Sequence, residues 1–244
     1  MARIVSIVSG VALEGVLKGR ILVRAETPYL RDLTDVEWQK IQTACEYILT
    51  LKIFIDDTAA ITLSEFRKTA RRSKQKNGIG LVLVDYLQLM KSDSDRRSGD
   101  LTAETTEISQ GLKAVAKTLN VPVIALSQLS RAVETRGGSK RPQLSDLRQS
   151  GSIEQDADIV SFIYRPEYYQ ILEDETGRSL KGIAEIIIAK HRNGATDDIE
   201  VGFEAELARF GDLMADNSGL QPPSYAAPTD FTATRPKPGQ DVPF

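Results

Sequence analysis

Hydrophobic positions along this chain fall into short unbroken runs, stripes at three- and four-residue spacing, and a sparse scatter towards the carboxyl end. The runs Leu81-Val82-Leu83-Val84 and Val121-Pro122-Val123-Ile124-Ala125-Leu126 are too short for helices and lack alternation. They predict strands buried on both faces of a parallel sheet. Between them, Ile108, Leu112, Val115 and Leu119 follow a helical spacing. Strand, amphipathic helix and strand make a βαβ unit, whose two strands run parallel. Similar stripes predict helices over 35–49 (Ile41, Ala44, Ile48, Leu49) and 63–76 (Leu63, Phe66, Ala70). Residues 159–164 and 183–189 predict further strands, and 199–203 the return limb of a hairpin after Asn193-Gly194. The runs 4–8 and Ile53-Phe54-Ile55 read as strands as well. The class is α/β.

Chemistry sits where these strands end. Asp85 closes the first apolar run and Ser127-Gln128 closes the second. Parallel strands deliver both residues to one edge of the sheet, the rim on which open α/β sheets bind ligands. A carboxylate there matches the Walker B position, which holds Mg²⁺ through a nucleotide. A Gln can hydrogen-bond both a γ-phosphate oxygen and an attacking water. Taken singly, each also fits a turn-forming Asp or a loop Gln.

The order of several motifs narrows the reading. Asp85-Tyr86-Leu87-Gln88 is followed by Ser127-Gln128-Leu129-Ser130-Arg131 and then by Ser145-Asp146-Leu147-Arg148-Gln149-Ser150-Gly151-Ser152-Ile153-Glu154-Gln155-Asp156-Ala157-Asp158. Ile186-Ile187-Ile188-Ala189-Lys190-His191-Arg192-Asn193-Gly194 completes the series. Together they resemble the carboxy-terminal RecA-like motor domain of the DnaB-type replicative DNA helicases, from about Thr34 to about Phe210. The resemblance implies a P-loop-NTPase-type, mostly parallel sheet flanked by helices, with ATP and Mg²⁺ as cofactors. It implies Asp85 as the Walker B carboxylate and Gln128 as the γ-phosphate sensor. Lys190 and Arg192 match the pair inserted into a neighbouring subunit's ATP site; two residues apart on a strand, they share a face. A guanidinium suits charge spread over a transferring phosphoryl group.

Arg148, Gln149 and Gly151 match the loop that meets the phosphates of single-stranded DNA, although the family usually carries Glu at the Gln149 position. Arg131 opens a basic stretch that continues through Arg136, Lys140 and Arg141. A backbone read without regard to sequence needs cations and N–H groups of this kind. The implied partners are single-stranded DNA, like subunits in a ring hexamer, and primase, a loader or other replication proteins.

One departure is decisive. The family's phosphate cradle, G-x-x-x-x-G-K-[ST], occurs nowhere in the sequence. Gly10-Val11-Ala12-Leu13-Glu14-Gly15 continues Val16-Leu17, without the Lys and hydroxyl, and is a decoy. The expectation is a motor domain incomplete at its amino-terminal side that does not hydrolyse ATP alone. A fragment ranks first; half of a split protein and a subunit that only donates Lys190 and Arg192 are the other two explanations. The alternative class is a non-catalytic subunit that binds single-stranded DNA or a helicase ring.

Composition adds limits. A net charge of −3 over 244 residues gives no global attraction to nucleic acid, so contacts must be local. The single cysteine, Cys45, excludes an internal disulfide framework, and the single histidine, His191, excludes His-based metal clusters and triads. No apolar stretch reaches membrane-spanning length and no signal peptide is evident, so the expected location is cytoplasmic. Arg67, Lys68, Arg71, Arg72, Lys74 and Lys76 line one helix face, which reads as solvated. The expected domains are a motor portion at 1–210 and a disordered tail at 211–244. Six of the ten prolines fall in that tail, with too few apolar residues to form a core. Its tip, Asp241-Val242-Pro243-Phe244, resembles a shortened form of the acidic, Pro-Phe-terminated end of bacterial single-stranded-DNA-binding proteins.

Overall fold

The computed structural model describes residues 1–23, 29–93 and 101–213. In chain order the elements begin with α1 (Ala2–Ser9), α2 (Leu13–Lys18), β1 (Arg20–Val23), β2 (Tyr29–Asp32), α3 (Asp35–Thr50), α4 (Leu63–Asn77) and β3 (Val82–Val84). They continue with α5 (Leu101–Leu119), β4 (Val123–Ala125), α6 (Ala132–Thr135), α7 (Gly151–Asp156), β5 (Ile159–Tyr164), β6 (Ile183–His191), β7 (Asp197–Glu204) and β8 (Arg209–Gly211). The chain divides into two compact units. One comprises Met1–Ile53, Pro166–Ala184 and the chain from Glu200; the other comprises Phe54–Arg165 and Glu185–Ile199. The proline-rich stretch from 214 on, with the tip at Asp241 to Phe244, lies outside the described residues.

In the first unit, α3 starts at a reciprocal cap. Thr34 Oγ1 accepts from the Glu37 backbone N–H, and the Glu37 carboxylate accepts from the Thr34 N–H at 2.8 Å. The same carboxylate takes both Arg31 guanidinium nitrogens, at 2.6 and 2.7 Å. That bidentate pair and the Thr34 bonds lower the Glu37 pKa from 4.5 to about 2. Residues 4–8, expected as a strand, are helical and belong to α1. A solitary strand leaves its backbone groups unpaired, whereas a helix satisfies them internally. The helix also buries Val5 in the cluster of Ile41, Ala44 and Ile48 from α3. Gly10, at φ 66°, ends α1 in the left-handed conformation, so the decoy Gly10–Gly15 segment is the turn between two helices followed by the first residues of α2. Cys45 packs partly into this core, and burial pushes its thiol pKa up.

A depressed carboxylate pKa contributes stability above its ordinary value, and that contribution is lost as pH falls through the folded value. Urea unfolding between pH 5 and pH 2 is therefore expected to show a fall in stability to which Glu37 contributes. Glu37→Gln keeps an oxygen for the capping box but loses the ion pair with Arg31, and should lower stability at neutral pH by up to about 1 kcal/mol. It should also flatten the acid limb; an unchanged pH slope in this variant would contradict the assignment.

The second unit contains the βαβ arrangement. Strands β3 and β4 pair in parallel with Val82 opposite Val123, Leu83 opposite Ile124, and Val84 opposite Ala125. The α5 stripe buries Ile108, Leu112 and Val115 with Leu63, Phe66 and Ala70 of α4, and Val82, Val84, Val123 and Ala125 pack against the same cluster. The expectation of burial on both faces fails. Leu83 is 59% exposed and Ile124 48%, with Leu81 and Leu126 exposed at the same two-residue spacing. The alternation of a strand puts these four on the face turned away from α4 and α5, and among the described residues no element covers it. Ile53-Phe54-Ile55 forms no strand either; it is exposed and has no partner strand among the described residues. Later in the unit, β5 and β6 run antiparallel, with Tyr164 opposite Glu185 and Val160 opposite Lys190.

Candidate functional site

Asp85 and Gln128 leave adjoining strands at the same end. The parallel ladder continues beyond the strands proper: the Leu126 N–H donates to Val84 O at 2.9 Å, and the Leu87 N–H to Leu126 O at 2.8 Å. Gln88, in the 3₁₀ turn Leu87–Leu89, closes the rim. Its side-chain amide donates to Ser127 Oγ at 3.0 Å and to Gln128 O at 3.3 Å, while its oxygen accepts from the Gln128 N–H at 3.2 Å. One side chain thus fixes the backbone on which Gln128 sits. Asp85, Gln88 and Gln128 are all exposed, and the Asp85-Tyr86 peptide is cis. The sequence motif included Gln88 without showing this role, because its partners lie about forty residues away.

The rim fits the metal-facing part of a MgATP site. A carboxylate and an amide project from one sheet edge, as a hydrated cation and a phosphate oxygen require. The phosphate-cradling part is not in this chain, since no G-x-x-x-x-G-K-[ST] segment occurs in it. Among the described residues, no group of three or more His, Cys, Asp or Glu is placed to hold a metal by itself.

Lys190 and Arg192 lie at the far end of β6. The ladder shifts register between Val160 and Ser161: Val160 faces Lys190 and Ser161 faces Ile188, leaving Ala189 as the extra residue of a bulge. Both cations have partners within their own unit. Lys190 Nζ donates to the Glu154 carbonyl and, at 3.5 Å, to the Gln155 carbonyl of α7. Arg192 Nη1 donates to Asp158 Oδ1 at 3.1 Å, and its backbone N–H donates to Asp158 O at 2.8 Å. The Arg192 side chain remains 52% exposed. Asp158 also accepts from Lys113 of α5, and that bond, with the nearby Arg192 charge, holds its carboxyl below the usual carboxylate range.

Arg148, Gln149 and Gly151 fall where the 3₁₀ stretch Leu144–Ser150 runs into α7. Arg131 is exposed at the start of α6. The rest of the basic stretch is engaged internally. Arg136 pairs with the buried Asp146, Arg141 pairs with Glu185 at 2.6 Å and Asp198 at 2.9 Å, and Lys140 donates to the carbonyls of Glu134 and Arg136. Asp146 also accepts from the Gln143 N–H at 2.8 Å and so fastens the loop. These three cations tie the loop down. Only buried geometry reveals that, and a charge count does not.

Comparison with known proteins gives one consistent answer. Residues 14–212 match the family model described as DnaB-like helicase C terminal domain. The chain is 46% identical over 193 residues to the replicative DNA helicase DnaB of Rickettsia typhi, covering 74% of this chain and 38% of that protein. It is 46% identical over 202 residues to the replicative DNA helicase DnaC of Bacillus subtilis, covering 82% and 43%. It therefore spans about two-fifths of the length of these curated relatives. Among solved structures it is similar to a DnaB-like replicative helicase studied with its interactions with primase, at a TM-score of 0.73 and 38% identity, over 87% of this chain and 47% of that one. A second solved structure, of an ATPase domain, matches with a TM-score of 0.73 and 37% identity, over 87% of this chain and 69% of that one. The fold is that of these RecA-like ATPase domains.

Proposed function

This chain belongs to the DnaB-like helicase C-terminal domain family, and on that premise we propose that it is part of an ATP-dependent replicative helicase that moves on single-stranded DNA and unwinds duplex DNA. The supporting observation is the shared exit of Asp85 and Gln128 from paired parallel strands, with Gln88 joining the two. Asp85 serves Mg²⁺ through the nucleotide and Gln128 reads the γ-phosphate. Mg²⁺ bound through ATP neutralises charge on the transferring phosphoryl group. Lys190 and Arg192 serve the site of a neighbouring subunit in a ring hexamer. Arg148, Gln149, Gly151 and Arg131 meet the DNA phosphates. Primase, a loader and other replication proteins are the further partners of this cytoplasmic reading.

Without a G-x-x-x-x-G-K-[ST] segment, the chain alone does not hydrolyse ATP. That absence favours a second reading, a subunit that only binds the ring or DNA and donates its cations. One experiment bears on both. Bacillus subtilis DnaC subunits, with their own matching Lys and Arg replaced by Ala, are mixed with this chain and assayed for ATP hydrolysis. Hydrolysis restored by the chain, and lost again with Arg192→Ala, is expected. No restoration at any mixing ratio would rule out donation.

A further inference from the structure

The two cations proposed to act in a neighbour's site are fastened to the helix that emerges from the proposed DNA loop. Lys190 donates to the Glu154 and Gln155 carbonyls, which belong to the last turn of α7 and have no later helical turn to supply them with N–H donors. Arg192 is held through both its backbone and its side chain by Asp158, two residues beyond that helix. Asp158 is pinned in turn by Lys113 on α5. At the other end of α7 lies Gly151, two residues after Gln149. The helix that joins the loop to the cation-holding end is only six residues long.

This helix also carries an uncompensated cost. Ser152 Oγ and Asp156 Oδ2, four residues apart and so on one face of α7, are buried without a hydrogen-bond partner among the described residues. A buried acceptor without a donor is a cost to the arrangement that buries it. The bulge at Ala189 adds a local bend at the base of the cation-bearing strand end. The attachments are light in character. Arg192 and Asp158 are both more than half exposed, and exposed ion pairs exchange partners at small cost.

We infer that Asp158 is a positioning residue that couples the DNA loop to the trans-acting cations: displacement of α7 by DNA is transmitted through Asp158 to Arg192, and through the α7 carbonyls to Lys190. The inference rests on the reading above for the identity of the ligand and of the receiving site. The mechanical link rests on the contacts alone. A carboxylate is required at Asp158 because it bridges two cations at once; Asn keeps the shape and the backbone carbonyl but loses the charge.

The test uses the mixed assembly with Bacillus subtilis DnaC subunits, with and without oligo(dT). For Asp158→Asn, hydrolysis without DNA is expected to stay within about twofold of the unsubstituted chain, because Lys190 and Arg192 are intact. The stimulation by oligo(dT) is expected to fall severalfold, and Asp158→Glu to recover part of it. A merely structural role would lower both rates together and would overturn the coupling, as would unchanged stimulation. Hydrogen exchange gives an arm independent of catalysis. Oligo(dT) is expected to change exchange at 151–158 and also at 187–192, and Asp158→Asn to leave the first change intact while weakening the second, whose remainder is carried by Lys190 and the Arg192 backbone bond. A change at 151–158 without one at 187–192 in the unsubstituted chain would overturn the inference, as would no change at either. Should Arg192→Ala leave hydrolysis untouched while the exchange coupling is present, donation in trans fails and the mechanical link stands.

Discussion

Alanine at Arg192 is expected to lower the restored hydrolysis of mixed assemblies on the order of 10³-fold, the scale at which an arginine finger acts on phosphoryl transfer. The loss should fall on kcat with KM little changed, since a finger meets charge that develops only in the transition state. Arg192→Lys is not expected to recover the rate. A guanidinium presents a planar fork of donors to several phosphoryl oxygens, whereas an ammonium presents a compact point charge. Recovery by Lys would mean that charge alone suffices. Lys190→Ala is expected to cost less, because a point charge there supplements the fork. Steady-state hydrolysis across a range of ATP concentrations, with each variant chain added in excess, measures all three.

The largest expected change in stability lies at Gly111, away from the rim. This residue is on α5, and a methyl group built there lies 2.9 Å from Leu63 Cγ and closer still to both Leu63 methyls. Leu63 is 1% exposed and sits in the core between α4 and α5, where it cannot swing into solvent. An added methyl forces a strained rotamer or a shift of the helix, costing about 1–3 kcal/mol. The gain of about 1 kcal/mol from replacing Gly by Ala in a helix offsets only part of this. Gly111→Ala is therefore expected to lower the urea midpoint. In a Leu63→Ala background the same change should be neutral or stabilising, because the truncation vacates the space the methyl needs. A lowered midpoint in both backgrounds would place the strain elsewhere than at Leu63.

How much of this was readable from residues alone depended on how local the determinant is. Helices α3 and α4 follow from stripes within one element, and the parallel β3–β4 pair from two apolar runs around the α5 stripe. The common exit of Asp85 and Gln128 follows from that pairing by connectivity. Residues 4–8 misled because a short, mainly apolar run suits a strand or a helix equally. Burial of Val5 against α3, a non-local fact, decided for the helix. Ile53-Phe54-Ile55 failed as a strand for a related reason: a strand exists only beside another, and none of the described elements pairs with it. Gln88, Asp146 and Asp158 stood inside the motifs, yet their duties depend on partners that sequence spacing does not reveal. Arg192 reaches Asp158 across 34 residues and Gln88 reaches Gln128 across 40. The engagement of Arg136, Lys140 and Arg141 was hidden in the same way, so a stretch that reads as a free basic loop is largely neutralised by its own surroundings.

The uncovered side of the β3–β4 pair has a thermodynamic counterpart. Leu81, Leu83, Ile124 and Leu126 are already about half wet in the folded chain, so unfolding brings less new water to them than to fully buried side chains. Heat capacity on unfolding scales with newly hydrated apolar area. The stability of this unit should consequently bend less with temperature than that of a parallel sheet clothed on both sides.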